Sequence, residues 1–254
     1  MTKKQRLIQC ALVVGVFFLI IALWEMAIVF FDISALMLPS PRVVGWELIE
    51  LLQSRQFWDN LTFTMHEVLL GYALAIVLAA LLGVAMSQVK IIRLGLMPYI
   101  VAFQTIPTVA LAPLFLTWFG HGMTSKVVMA ALISFFPMLI NVVVGLQSAG
   151  REEVQMLKSF GATPLQVLLK VKIPSSLPFL FAGLGLGIVF ALIGAIVAEY
   201  VGSSKGLGLM LMQFHYDYDI KGMFAVIIVL AAIGIILHSI IGFIKNKVVF
   251  WNDD

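Results

Sequence analysis

Charge is what this sequence has least of. Asp, Glu, Lys and Arg make up 11% of its 254 residues, against 62% hydrophobic residues. With a mean hydropathy of +1.08, the chain carries more apolar surface than one soluble core can hide, which excludes an ordinary soluble domain. Cysteine is nearly absent. The single Cys10 excludes an intrachain disulfide framework and a cysteine metal cluster. The four histidines, His66, His121, His215 and His238, lack metal-ligand spacing and read as packed or interfacial side chains. No nucleophile–base pairing is present, so an intramembrane enzyme has no catalytic constellation to work with. The glycine-rich "GSSKGLG" at 202–208 lacks the residue order of a phosphate-binding loop, and the chain is expected neither to hydrolyse ATP nor to bind a cofactor itself. A pI near 9.0 without a basic face outside short loops does not point to nucleic acid.

What the sequence has is long apolar runs. There are six: Leu7–Phe31, Val68–Met86, Leu94–Phe119, Val127–Ala149, Ile173–Ala198 and Met223–Ile244. At about 1.5 Å of rise per residue, each can cross a hydrocarbon layer of roughly 30 Å as a helix. The fold expected is an all-α polytopic membrane protein of about six transmembrane helices. It forms a single domain over 1–254 with its core at about 60–245. The first run continues past Trp24 without a small-x-small cleavage site and reads as a retained span, not a signal peptide. With the N-terminus placed in the cytoplasm, the inner segments hold Lys3, Lys4, Arg6, Lys90, Arg93, Arg151, Lys158, Lys170, Lys172, Lys245 and Lys247. The outer segments hold Arg42, Arg55, Lys126, Lys205 and Lys221. Eleven against five obeys the positive-inside rule and predicts both termini inside.

Between the first two spans, Pro39 and Pro41 forbid a continuing helix. After them Val44, Leu48, Leu51 and Leu52 recur at helical spacing and predict a short outer interfacial helix. Pro98, Pro107 and Pro113 predict a kinked or broken third span. The stretch 202–222 has too many glycines for a simple turn and too many apolar residues for a solvated loop. A short re-entrant or surface-lying element is expected there.

One basic segment stands out, "KSFGATPLQVLLKVKIPSSLP" at 158–178. Glu152 and Glu153 suit the first turn of a helix Arg151–Phe160 and Lys158 its last. Gly161 is placed to stop it. Thr163 and Pro164 can cap and open a second helix, Pro164–Lys172, which Pro174 is expected to end. The apolar Val154, Met156, Leu157 and Phe160 offer either a docking face or a surface folded back on the bundle.

This segment resembles the cytoplasmic box of ABC-importer permeases, whose pattern is Glu-Ala-Ala, three residues, Gly, nine residues, Ile-x-Leu-Pro. Gly161 matches the Gly, Val171 the Ile, and Ile173-Pro174 the Leu-Pro. Gln155, Met156 and Leu157 stand at the Glu-Ala-Ala positions. The stretches "LPSPRVV", "PLFLTWFGHGMTSK" and "AEYVGSSKGLGLMLM" look like the subfamily that imports nitrate, sulfonate, taurine, bicarbonate or vitamin precursors. The resemblance implies a permease subunit of the bacterial inner membrane, working by alternating access. Its partners would be two ATPase subunits that carry the ATP and Mg, a second permease copy as a homodimer, and an extracytoplasmic solute-binding protein. It implies a cytoplasmic coupling helix between spans four and five, with ATPase coupling on Glu153, Gln155, Met156, Leu157, Phe160, Gly161, Ala162 and Pro174. A stand-alone secondary transporter is the rival reading, but paired intramembrane charges for ion coupling are not evident.

Polar residues inside the runs are functional candidates because they are costly there. Gln104 and Asn141 can bond across helices or to a solute. Gly183, Gly187, Ala191 and Ala195 recur every four residues along span five and suit close helix packing, and Glu199 is the next step, at the outer end of that stripe, a candidate with Gln104 and Asn141 for the solute path or gate. Glu67, with His66, is read as capping the start of span two.

Overall fold

The computed structural model describes residues 3–250, with side chains from residue 11; the Cys10 side chain and the last four residues lie outside the described part. Every element in it is helical. The chain forms two compact units. The smaller runs up to Trp58 and takes in Met210–Val229. It contains α1 (Lys3–Phe30), α2 (Pro41–Gln53) and parts of α10 (Leu207–Tyr216) and α11 (Ile220–Val248). Ser40 caps α2 and Pro41 opens it, so the two prolines that forbid a through-going helix start a new one. Val44 and Leu51 are buried, and Glu47 on α2 pairs with Lys221 on α11 at 2.5 Å.

The larger unit, Asp59–Leu209 with Leu230 onward, holds the site. Its elements are α3 (Arg55–Gln88), α4 (Lys90–Gln104), α5 (Ala112–Phe119), α6 (Met123–Gln147), α7 (Arg151–Ser159), α8 (Pro164–Val167), α9 (Ile173–Gly202) and the remainder of α10 and α11. Among the described residues, five helices are long and apolar enough to cross a membrane, or six spans if the bent pair α4 and α5 counts as one. That pair turns through 89° at its break.

The packing decides how the bent pair counts. Gly71 of α3 lies against Ala130 of α6, and Gly83 against Val142, so α3 and α6 run parallel. A chain that leaves α3 at one end and enters α6 at the other must return the full height between them. Only α4 and α5 can do this. Leu116 and His121 reach Gly202 at the far end of α9, as that path requires. α9 runs antiparallel to α6, with Gly145 against Ser176 and Gly194 against Ala130. The broken element is therefore one crossing of the bundle.

The α6–α9 contact is built on small residues. Gly183, Gly187, Ala191 and Ala195 are all buried. Gly183 faces Asn141 and Gly187 faces Met138. Without a hydrophobic force between helices in lipid, close backbone approach and dispersion supply the association. The remaining core is mostly aliphatic, around Val68, Leu139, Ile188 and Leu192, with Tyr72 and Phe135 among them.

One expected boundary is overturned. Pro174 does not end a helix. Leu168–Lys172 forms a π turn, with the Ile173 N–H donating to the Leu168 carbonyl, and α8 continues through it into α9. The wider turn makes room for the proline ring and spares the ladder the N–H that Pro174 lacks.

Candidate functional site

Three places in the larger unit carry polar chemistry. The first is the segment between α6 and α9. α7 begins with Glu152 and Glu153 and ends with Lys158, in agreement with its dipole. It stops on a Schellman motif. The Gly161 N–H donates to the Lys158 carbonyl at 2.9 Å and the Ala162 N–H to that of Leu157 at 3.1 Å, while Gly161 takes φ +79°. Two residues on, Thr163 and Gln166 form a reciprocal capping box at 2.8 and 3.3 Å. The stop and the restart are thus each fixed by local hydrogen bonds, main-chain at Gly161 and side-chain at Thr163 and Gln166. Lys172 Nζ donates to Gln88 Oε1 at 3.2 Å, which ties the restart to the foot of α3. Met156 is 55% exposed and Phe160 84%. Glu153, Gln155, Gly161 and Ser159 are also exposed, and Val154, Leu157, Ala162 and Pro174 are half-buried.

The second place is a cavity of about 670 Å³ at the break between α4 and α5. Gln104 and Asn141, which lie 37 positions apart in the sequence, both line it, with Thr105, Thr108, Phe136 and Phe190. Pro107 cannot continue the α4 ladder, so Thr105 and Ile106 close it with short bonds to the carbonyls of Ala102 and Phe103. Asn141 Nδ2 donates to the Pro137 carbonyl at 2.8 Å.

The third place is a polar knot at the end of the bundle remote from α7. Glu199, Glu67, Lys126 and Thr64 are all fully buried. Glu199 accepts from the Thr64 hydroxyl at 2.7 Å and from the Gly208 N–H at 2.6 Å. The Gly206 N–H donates to Asn60 Oδ1 at 2.7 Å and the Leu207 N–H to Thr64 Oγ1 at 2.9 Å. Three successive N–H groups at the start of α10 are therefore taken by side chains of α3 and α9. Lys126 Nζ donates to the carbonyls of His121 and Gly122. Gly206 and Gly208 of "GSSKGLG" are glycines because the knot leaves no room for a side chain at either position. Gly206 has φ +112°, and a Cβ there would meet the Glu199 carboxylate.

Glu67 lies thirteen residues into α3 and cannot cap it, contrary to the sequence expectation. It sits beside Glu199 and Lys126, and its carboxylate oxygens accept no hydrogen bond from the described residues. Thr64, Asn60 and Lys126 were missed by sequence reasoning. The signal available for them was a lysine opening one apolar run and a glutamate closing another at the same end of the bundle. Among the described residues no group of His, Cys, Asp and Glu could hold a metal.

Residues 71–249 match the family model described as binding-protein-dependent transport system inner membrane component. The chain is 36% identical to the formylaminopyrimidine transport permease ThiX of Halalkalibacterium halodurans, over 89% of this chain and 92% of that one. It is 30% identical to a putative aliphatic sulfonates transport permease, SsuC of Bacillus subtilis, over 92% and 85%. Among solved structures, an inward-facing form of the MetNI methionine ABC transporter superposes with a TM-score of 0.63 at 20% identity, over 80% of this chain and 96% of that one. That last likeness concerns the fold.

Proposed function

Because the chain belongs to the family of binding-protein-dependent transport system inner membrane components, we propose that α7 is the element through which a separate ATPase drives its spans. The chain itself is the transmembrane permease subunit of an ABC importer, and ATP is hydrolysed on another subunit. In the proposed assembly two copies of the permease meet two ATPases on the cytoplasmic side. ATP and Mg stay on the ATPases, both permease termini are cytoplasmic, and a binding protein delivers solute from outside.

The observation that carries this reading is the construction of 151–166. A nine-residue helix is stopped by a Schellman motif and restarted by a capping box within a few residues. Such a segment moves as a unit instead of bending. Met156 and Phe160 stand exposed on it among charged neighbours, which suits insertion into an apolar groove of a partner. A push on α7 then passes through the capping box and the π turn into α9, and through Lys172 and Gln88 into α3. ATP shifts the equilibrium between inward- and outward-open states only so far as the ATPase contacts α7 differently in each.

Copurification tests the reading. Met156→Asp and Phe160→Asp place charge on exposed positions that the fold does not need buried, so insertion and melting temperature should be unchanged. Each should reduce ATPase copurification at least tenfold, because a carboxylate left unpaired in an apolar groove costs several kcal/mol. Full copurification with both variants would remove α7 as the docking element.

A further inference from the structure

The cavity at the break of the third crossing carries information about the solute. We propose that it is a solute-binding station within the membrane, and that it takes an uncharged, planar, hydrogen-bonding heterocycle in preference to a small anion. The proposal rests on the import reading and adds the site and the solute class to it.

Charge comes first. Among the described residues no Asp, Glu, Lys, Arg or His lines the cavity. A sulfonate or nitrate ion held inside the bilayer needs a cation or several aimed donors, since an unpaired charge there is expensive. The buried ammonium of Lys126 is turned to the carbonyls of His121 and Gly122 and is not part of this lining.

Hydrogen bonding comes second. Asn141 spends its Nδ2 on Pro137 and keeps Oδ1 as an acceptor. The Gln104 amide and the Thr108 hydroxyl line the cavity and offer both donor and acceptor. Gln104 is exposed to the cavity and needs no rearrangement to reach a solute. Three uncharged polar groups of mixed donor and acceptor character match the ring nitrogens and amino groups of a heterocycle. They match poorly an oxyanion, which only accepts.

Shape comes third. Phe136 lines the cavity and stacks on Phe103, with ring centroids 6.2 Å apart and an interplanar angle of 14°. This gives a flat aromatic wall whose orientation is fixed from behind, and Phe190 supplies a second aromatic side chain. A volume of about 670 Å³ holds a one- to three-ring solute and would leave a nitrate ion or taurine loose. The break in the helix is why the site exists here. Pro107 stops the ladder and the chain turns by 89°, so the Gln104 side chain and the residues of the break line one cavity with Asn141.

The test is equilibrium binding to the purified permease–ATPase complex in nanodiscs at pH 8, without binding protein. The probes are 4-amino-2-methylpyrimidine, which is neutral at that pH, and taurine with nitrate as the anionic comparison. The expected result is binding of the pyrimidine at least tenfold tighter than either anion probe. Gln104→Leu and Asn141→Leu should each weaken it about fivefold, the worth of one neutral hydrogen bond. Gln104→Arg should weaken the pyrimidine and strengthen nitrate. Failure of the pyrimidine to bind, equal or tighter binding of an anion probe, or indifference to both leucine variants would overturn the proposal. Copurifying ATPase, assayed in the same samples, separates the two readings. Its presence without pyrimidine binding removes only the solute station, and its absence from the unmodified protein removes the import assembly on which the station depends.

Discussion

Thr64 and Glu199 lie 135 positions apart in sequence and meet at 2.7 Å, hydroxyl to carboxylate, in the fully buried knot that holds the start of α10. The same Thr64 oxygen accepts the Leu207 N–H. Thr64→Val keeps the shape and removes both bonds, leaving a buried carboxylate oxygen and a buried N–H unpaired. We expect a loss of about 1–3 kcal/mol, read as a fall of several degrees in the melting temperature of the purified protein. Thr64→Ser should retain most of the stability. Equal stability of the valine and serine variants would mean that Thr64 serves packing alone.

Glu67 and Glu199 should respond in opposite directions to loss of charge. Glu67 accepts no hydrogen bond from the described residues, and its side chain lies against that of Glu199. Glu67→Gln keeps the shape and supplies a permanent N–H donor to Glu199, so the melting temperature should rise. Glu199 accepts from Thr64 and Gly208. Glu199→Gln replaces one accepting oxygen by a donor facing a donor, and should cost about 1–3 kcal/mol. Two variants that both destabilise would show that the Glu67 carboxyl itself is needed where it is.

The small-residue face of α9 should be least tolerant at Gly194. A Cβ there would stand 2.7 Å from Ala130 Cα and 3.0 Å from the Met129 carbonyl oxygen, both main-chain atoms that cannot turn aside. At Gly187 the obstacle is the flexible side chain of Met138. Gly194→Ala should therefore lower stability by about 1–3 kcal/mol and Gly187→Ala by clearly less, measured as thermal unfolding in detergent. The reverse order would place the tight contact elsewhere.

Sidedness follows from the basic asymmetry and the height argument for α4 and α5. In a Cys10→Ser background, cysteines at Gln53 and Ser204, both exposed, should react with an impermeant thiol reagent on intact cells. A cysteine at Gln155, also exposed, should react only after permeabilisation. Labelling of Gln155→Cys in intact cells would invert the topology.

The sequence made the segment between α6 and α9 legible because its stop and restart are local. Gly161, Thr163 and Pro164 act on main-chain groups within four residues, and composition alone places them. The six apolar runs were legible for the same reason. The π turn at 168–172 was not, because a proline that ends a helix and one absorbed by a wider turn leave the same trace in sequence. Nor was the polar knot. Hydropathy is read along one dimension, whereas the meeting of Asn60, Thr64, Glu67, Lys126 and Glu199 depends on which helices lie side by side. Gln104 and Asn141 stood out singly as polar residues in apolar runs, but their common cavity arises only from the 89° turn.

Gly161 gives the most direct test that α7 transmits the ATPase stroke. Its φ of +79° is open to glycine, acceptable to asparagine and poor for a β-branched residue, while no neighbour stands within 4 Å of an added Cβ. Any effect of substitution therefore comes through main-chain geometry and not through a clash. The measurement is solute uptake per ATP hydrolysed in proteoliposomes that contain the permease, its ATPase and its binding protein. Gly161→Asn should keep the ratio near that of the unmodified transporter, and Gly161→Val should lower it at least tenfold while the permease still inserts. An unchanged ratio in Gly161→Val, with ATPase bound, would contradict the claim that this helix and its stop couple hydrolysis to transport.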